Sequence, residues 1–145
     1  MKRRKKNKMN DISFEEFRSM LLYHRIVEWN SNKIVLDNGV TIFIRETEQE
    51  CCAQAEGRFE NVVLDAAITY VSELKYDFFE DEWGEHSTSA VVKFLHNQNL
   101  ICQAIGEADA GNGGYYYSIA SFVIHIPDKE NQPLCCHFVS SEDGL

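Results

Sequence analysis

The fold is decided by the segment Ile34-Val35-Leu36-Asp37-Asn38-Gly39-Val40-Thr41-Ile42-Phe43-Ile44, in which a turn signal separates two apolar, β-branched runs. Asp-Asn-Gly provides residues that tolerate the left-handed backbone of a tight turn, and the runs on either side favour extended strands. The segment therefore predicts a β-hairpin, and an antiparallel sheet is its expected setting.

The strand pattern extends outward from this hairpin in both directions. Runs of apolar and β-branched residues recur at 25–29, 33–36, 62–76, 87–95, 100–107 and 115–126. A second hairpin is predicted to turn at His96-Asn97-Gln98-Asn99, and Pro127 should end the last strand. We expect an α+β fold: a single domain with an antiparallel meandering β-sheet and one or two short helices.

Two short helices and one loop are predicted between these strands. Ser13-Phe14-Glu15-Glu16 is a capping-box pattern, which predicts a helix over 14–23. Alanine and glutamate favour a second helix over 52–59, with Cys51 and Cys52 as a buried, inert pair at its start. Residues 78–86 are predicted to form an acidic loop that holds aromatic side chains.

Composition divides the chain into three segments. Residues 1–10 are predicted to be a disordered basic leader, 11–127 an α+β ligand-binding domain, and 128–145 a polar C-terminal extension with one small apolar cluster at 134–139. Five cysteines without C-x-x-C spacing indicate reduced thiols in a cytosolic protein.

Charge and hydropathy exclude two classes of partner. The leader contains six of the 14 basic residues, which leaves residues 9–145 with 8 basic against 23 acidic groups, a net charge of −15. Such a body repels nucleic-acid polymers, whose binding depends on neutralised phosphates. No apolar run approaches the length of a membrane helix, so no membrane partner is expected.

The sequence offers no catalytic or metal motif. A cysteine nucleophile would need one of His86, His96, His125 and His137, and nothing places any of them beside a cysteine. The cluster Cys135-Cys136-His137 is too compact to surround one tetrahedral metal, and the acidic residues of 77–85 lack the spacing of a calcium loop. We assign no catalytic residue, no metal and no cofactor.

The segment Gly111-Asn112-Gly113-Gly114-Tyr115-Tyr116-Tyr117 is the strongest indication of a ligand. Glycines allow a close approach of the backbone and left-handed angles, and tyrosines offer faces for stacking and hydroxyl groups. This combination suits a planar, polar ligand such as a nucleotide. It is also found where a loop enters an aromatic core strand.

The order of these features resembles a small family of phage proteins, the first-described type of Thoeris anti-defence protein. The resemblance covers about residues 25–126 and rests on Asp37-Asn38-Gly39-Val40, on Cys51-Cys52-Ala53, and on Gly113-Gly114-Tyr115-Tyr116-Tyr117. It implies a sponge that holds, without cleavage, the glyco-cyclic ADP-ribose signal of bacterial TIR-domain enzymes in the host cytoplasm. It also implies a homo-oligomer built from dimers, such as a hexamer, with ligands between subunits and a separate pocket for cyclic di- or trinucleotides.

Candidate ligand residues follow from the chemistry of a cyclic ADP-ribose. Its adenine needs stacking, its phosphates need cations or amides, and its riboses need hydrogen bonds. The residues that we select for these roles are Arg25, Arg58, Phe78, Phe79, Trp83, Lys93, Asn112, Gly113, Tyr115 and Tyr117. Two alternatives remain open: a cysteine- or histidine-dependent nucleotide hydrolase, and an inhibitor whose acidic surface docks a basic protein.

Overall fold

Two β-sheets face each other in the protein. The structure is a computed structural model that describes residues 10–129 and 132–143, so the first nine residues of the predicted leader lie outside the described residues. Its elements are β1 (Asn10–Asp11), α1 (Phe14–Leu21), β2 (Ile26–Asn30), β3 (Lys33–Leu36), β4 (Thr41–Gln49), β5 (Ala55–Glu60), β6 (Tyr70–Val71), β7 (Lys75–Glu80), β8 (His86–His96), β9 (Asn99–Asp109), β10 (Ser118–His125) and β11 (Leu134–Ser140).

The first sheet has the order β1-β11-β10-β4-β3-β2, and the second has the order β5-β9-β8-β6 with β7 also paired to β8. Both predicted hairpins are confirmed: β3 pairs with β4 across the Asp37-Asn38-Gly39 turn, and β8 pairs with β9 along their whole length. The fold is a single, mostly β domain with one short helix, consistent with the α+β class. The predicted meander is wrong, because β10 lies beside β4 and β1 runs parallel to β11.

Helix α1 begins where the capping box predicts. The Glu16 backbone N–H donates to the Ser13 hydroxyl over 3.1 Å, and the Ser13 backbone N–H donates to the Glu16 carboxylate over 3.2 Å. These bonds satisfy two amides that the first turn of a helix leaves unpaired. The helix buries Phe17 and Leu21 against the sheets.

An aromatic stack centred on Phe122 joins the helix to both sheets. The Phe122 ring is fully buried and stacks at 4.5 Å on Phe17 of α1 and at 4.5 Å on Phe138 of β11. It also lies 6.4 Å from the ring of Phe59, which projects from β5 of the second sheet. The sheets come close beside this stack, since a Cβ at Gly106 would lie 2.7 Å from the Phe138 ring.

The helix predicted for residues 52–59 is wrong, because residues 55–60 form the strand β5. Ala55 and Phe59 are buried, whereas Glu56 and Arg58 are exposed, which is the period of a strand. Pairing with β9 along the edge of the second sheet overrides the helix propensity of alanine and glutamate. Cys51 and Cys52, predicted to be buried, are exposed in the turn that precedes β5.

Three other strand predictions need correction. Residues 62–76, counted from the sequence among the strand-like runs, form no continuous strand: within them the chain is irregular except for β6, the start of β7 and a single bridge between Ala67 and Arg25. Strand β7 continues through Phe78 and Phe79, so the predicted acidic loop is reduced to residues 81–85. The prediction that 115–126 is the last strand is wrong, because β11 pairs with both β10 and β1 inside the segment expected to be a polar extension.

Within the described residues, no helix is long and apolar enough to cross a lipid bilayer.

Replacement of Phe122 by alanine should lower the free energy of unfolding by about 3–5 kcal/mol, because it empties the centre of the stack. Urea unfolding followed by circular dichroism measures this loss. The matched control is Phe79→Ala, at a phenylalanine that is 66% exposed, where we expect a change of at most about 0.5 kcal/mol. Equal losses in the two variants would contradict the central position of Phe122.

Strand β11 is fastened at its end by Asp143. One carboxylate oxygen accepts a hydrogen bond from the Ser140 backbone N–H over 2.7 Å and lies 2.7 Å from His137 Nε2. The Thr88 hydroxyl of β8 donates to the Asp143 backbone carbonyl over 2.5 Å. Burial opposes ionisation of this carboxyl, but the bonds and charge of His137 and the Ser140 amide prevail and hold its pKa below the ordinary value.

The lowered pKa of Asp143 predicts a dependence of stability on pH. A group with a depressed folded-state pKa stabilises the fold above its unfolded pKa, and this contribution is lost as the pH falls below about 4. Asp143→Asn should therefore be less stable than the parent at pH 7, with a difference that shrinks toward pH 2.5. Urea unfolding at both pH values tests this, with the exposed Asp128→Asn as control; a difference that does not change with pH would refute it.

Candidate functional site

The turn between β7 and β8 forms one wall of the candidate site. Its backbone is held by Asp81, whose carboxylate accepts hydrogen bonds from the N–H groups of Trp83 over 2.9 Å and Glu85 over 3.0 Å. Gly84 takes a φ of 82°, which closes the turn. The Trp83 side chain is left 76% exposed at the tip.

The glycine loop, residues 111–117, forms the opposite wall. Asp109 fixes its start by accepting hydrogen bonds from the N–H groups of Gly111 over 3.0 Å and Gln54 over 3.1 Å. The Tyr116 N–H then donates to the Ala110 carbonyl over 2.7 Å, so the loop folds back on itself. Strand β10 begins only at Ser118, so the three tyrosines lie in the loop and not on the strand.

The two walls touch at Gly84 and Gly114. Gly114 has a φ of 74°, and a Cβ at this position would overlap the Gly84 carbonyl oxygen and lie 3.1 Å from the His86 ring. Glycine is therefore needed at position 114 for two reasons, its left-handed backbone and the close approach of the neighbouring turn.

The turn of Cys51 and Cys52 closes a third side. The Asn112 backbone N–H donates to the Cys52 sulfur over 3.4 Å, which ties this turn to the glycine loop. The hydrogen bond between Tyr116 and Cys51 raises the pKa of the Tyr116 phenol above its ordinary value. Both thiols are exposed, so they are accessible groups and not the buried pair predicted from the sequence.

A pocket of about 350 Å³ lies between these three segments. Four of its lining residues have carboxylate side chains: Asp81, Glu85, Glu107 and Asp109. The other lining residues are Cys52, Phe79, His86, Ser87, Gly111 and Asn112. They include no lysine or arginine, so this pocket by itself favours neutral, hydroxyl-rich or cationic groups over phosphate.

His86 is the one histidine that lines the pocket. Its ring packs 5.2 Å from the ring of Phe78, and its Nδ1 atom is buried without a hydrogen-bond partner among residues 10–129 and 132–143. A buried ring nitrogen without a partner carries an energetic cost, which a polar ligand or a water molecule would remove.

Some residues selected from the sequence meet at this pocket. Phe79 and Asn112 line it, Trp83 and Gly113 belong to the loops that frame it, and Tyr115 is 80% exposed on the glycine loop. Phe78 and Tyr117 do not line the pocket. Phe78 lies on the other face of β7, where its ring packs against the ring of His86. The Tyr117 backbone carbonyl accepts a hydrogen bond from the Glu50 N–H over 2.9 Å. The glycine and aromatic segments are therefore neighbours.

The three basic residues selected from the sequence lie outside this pocket. Arg25 lies 3.5 Å from Asp37, beside the first hairpin, and Arg58 lies 3.0 Å from Glu60 on β5. Lys93 and Lys75 line a second, mostly apolar hollow of about 410 Å³ that also includes Val91. None of these side chains lines the pocket at the glycine loop.

The four carboxylates and His86 were not predicted from the sequence to line the pocket. A usable signal existed for Glu107, since residues 100–107 were predicted as a strand and alternation would have placed Glu107 on the polar face. No local pattern connects Asp109 with Asp81 or Glu85, because the end of β9 and the turn between β7 and β8 come together only in the folded protein.

The contact between Gly84 and Gly114 gives a testable difference between two glycines of one loop. Gly114→Ala should destabilise the protein by about 1–3 kcal/mol more than Gly113→Ala, because position 113 has a similar φ of 72° but its nearest neighbour would be the Tyr115 ring at 3.4 Å. Thermal unfolding of both variants measures the difference, and amide exchange of residues 81–86 should rise only in Gly114→Ala. Equal effects would show that the two walls do not touch.

A protein-family model described as "Domain of unknown function (DUF7448)" matches residues 19–123, which is most of the chain. The match runs from α1 into β10 and includes both walls of the pocket. No curated protein and no solved structure matches the sequence. By this match, the chain belongs to the DUF7448 family.

Proposed function

We propose that this protein is a non-enzymatic, phage-encoded binding protein that sequesters a cyclic nucleotide signal in the cytoplasm of the bacterial host. The ligand class is that of glyco-cyclic ADP-ribose, the product of the TIR enzymes of Thoeris defence, and cyclic di- or trinucleotides are further candidates. The observation that carries the proposal is the meeting of the glycine loop with the Phe79 and Trp83 segment around one pocket. The resemblance described above supplies the identity of the signal.

The chemistry of the lining supports a nucleoside part of such a ligand. An exposed Phe79 ring offers a stacking face for adenine, and carboxylates accept hydrogen bonds from ribose hydroxyls and from the adenine amino group. The volume of about 350 Å³ is at the lower end of ligand pockets, which range over roughly 300–1,000 Å³. The pocket would therefore hold the nucleoside part and leave the phosphates at its mouth.

The test is a binding experiment with the full chain. Titration calorimetry and thermal shift would use glyco-cyclic ADP-ribose isomers, linear ADP-ribose, adenosine, and cyclic di- and trinucleotides. A ligand at 100 times its Kd should stabilise the protein by roughly 2.7 kcal/mol. Intact ligand should be recovered after heat denaturation. Failure of every compound to bind would refute the proposal.

A second candidate is a nucleotide hydrolase, which is favoured by the presence of both Cys52 and His86 in the lining of the pocket. A thiol and an imidazole are the groups of a cysteine nucleophile and its base. The same incubation separates the two functions, because a hydrolase would return cleaved nucleotide. Cys52→Ser should then abolish cleavage, whereas a sequestering protein would return intact ligand in both forms.

The proposed stacking role of Phe79 predicts a specific loss of affinity. Phe79→Ala should weaken binding of adenine-containing ligands by about 1–3 kcal/mol, which corresponds to roughly 5- to 150-fold in Kd. Trp29→Ala is the matched control, since Trp29 is a partly exposed aromatic residue on β2 of the other sheet. Calorimetry that gives the same Kd for Phe79→Ala and the parent would place the ligand elsewhere.

A further inference from the structure

The chain contains two Asn-Gly sequences, Asn38-Gly39 and Asn112-Gly113, and the structure places them in different surroundings. In such a pair the backbone nitrogen of the glycine can approach the side-chain amide of the asparagine closely, because glycine has no Cβ to obstruct it. The first pair lies in the turn between β3 and β4. The second lies in the glycine loop, where Asn112 lines the pocket.

Hydrogen bonds engage both reacting groups of the first pair. The Gly39 N–H donates to the Leu36 carbonyl over 2.9 Å, and the Asn38 side-chain oxygen accepts the Val40 N–H over 3.1 Å. The Asn38 amide nitrogen also lies 3.5 Å from His24 Nε2. Attack of the Gly39 nitrogen on the Asn38 side chain would therefore have to break the first two of these bonds.

The second pair lacks these restraints. Among residues 10–129 and 132–143, neither the Asn112 side chain nor the Gly113 N–H has a hydrogen-bond partner, and both residues are exposed. The Gly114 N–H reaches the Gly111 carbonyl only over 3.3 Å, which is a long hydrogen bond. The turn that carries Asn112 and Gly113 is therefore weakly held.

We propose that Asn112 is a site of spontaneous deamidation in the folded protein, whereas Asn38 is protected. The Gly113 backbone nitrogen gives up its proton, bonds to Cγ of Asn112 and closes a five-membered succinimide ring. The bond between Cγ and Nδ2 breaks, and Nδ2 leaves as ammonia with the released proton. Water is the only co-reactant, and it enters in the next step.

Water opens the ring at one of its two carbonyl carbons. Addition at Cγ gives aspartate. Addition at the backbone carbonyl carbon gives isoaspartate, in which the main chain runs through the former side chain and is longer by one methylene group. Either product replaces a neutral amide by a carboxylate. Isoaspartate also lengthens the loop just before the contact between Gly114 and Gly84.

The new carboxylate would be the fifth in the lining of the pocket. The described lining residues include no lysine or arginine, so none of them offsets the added charge, and repulsion between like charges opposes the approach of a phosphate. This consequence rests on the proposed function: a protein that binds a nucleotide here would lose affinity as Asn112 is converted. The modification itself does not depend on a ligand, so its test is made without one.

Peptide mapping of the incubated full chain, free of ligand, is the first experiment. Cleavage after lysine and arginine places the two Asn-Gly sequences in separate peptides, 34–45 and 94–129. Deamidation adds about 1 Da, which tandem mass spectrometry assigns to one asparagine. In the folded protein we expect Asn112 to react roughly 5- to 150-fold faster than Asn38, because two hydrogen bonds must first break at Asn38.

The unfolded chain is the matched control. In guanidinium chloride both pairs lose their surroundings and should react at similar rates, so a difference in the folded protein is then due to the fold. Equal rates at Asn38 and Asn112 in the folded protein, or a faster reaction at Asn38, overturn the proposal. A difference of the same size in the unfolded chain also overturns it, since the local sequence would then explain the result.

Asn112→Gln tests the assignment to one residue. The longer side chain would have to close a six-membered ring, so peptide 94–129 should stay unmodified, whereas the slow reaction of peptide 34–45 should be unchanged. Circular dichroism and the urea midpoint verify that the variant is folded. An undiminished gain of mass in peptide 94–129 of the folded variant would place the reaction at Asn97 or Asn99 and refute the assignment.

Asn112→Asp reproduces one product and tests the consequence for binding. Its Kd for glyco-cyclic ADP-ribose should be about fivefold weaker or more, because one further negative charge faces the phosphates. Asn38→Asp makes the same change of charge outside the pocket and should bind as the parent does. Equal affinities of Asn112→Asp and the parent would overturn the effect on binding. A parent protein that binds no nucleotide would refute the proposed function, and the peptide maps would still decide the deamidation.

Discussion

The stacking of Phe17, Phe122 and Phe138 is the interaction on which the rest of the structure depends. Three aromatic rings, one on α1 and two on the neighbouring strands β10 and β11, hold α1 against the first sheet, and Phe59 extends their contact to the second sheet. Burial of such large apolar surfaces fixes which side of each strand faces inward. Once the inner sides of β8 and β9 are fixed, alternation sends Glu107 and Asp109 outward to the pocket.

The parts of the fold that the sequence predicted are those governed by local chemistry. The turn at Asp37-Asn38-Gly39 and the cap at Ser13 need only a few neighbouring residues, and both are present. Strand β5 could not be predicted, because its residues have good helix propensity and their extended form depends on β9, which lies about 40 residues later in the chain. Strand β11 was missed for the same reason, since its place is set by β1 and β10.

The candidate site, too, could be predicted only where it depends on local sequence. The glycines at 111, 113 and 114 indicated left-handed backbone angles in this loop, and their positive φ angles confirm this prediction. The distribution of charge around the loop depends on how three separate segments meet, and no local signal contains it. The choice of Arg25 and Arg58 followed from the need of a phosphate for cations, but each of these arginines is next to a carboxylate away from the pocket.

The position of β11 between β1 and β10 constrains the order in which the chain can fold during synthesis. The second sheet uses residues 55–109 only, so its hairpin can form while later residues are still in the ribosome. The first sheet cannot be completed until residue 140 has emerged, because β1 has no partner strand among the described residues except β11. Until then the edge of β10 that later pairs with β11 carries unpaired backbone N–H and C=O groups, and such an edge can pair wrongly with another chain.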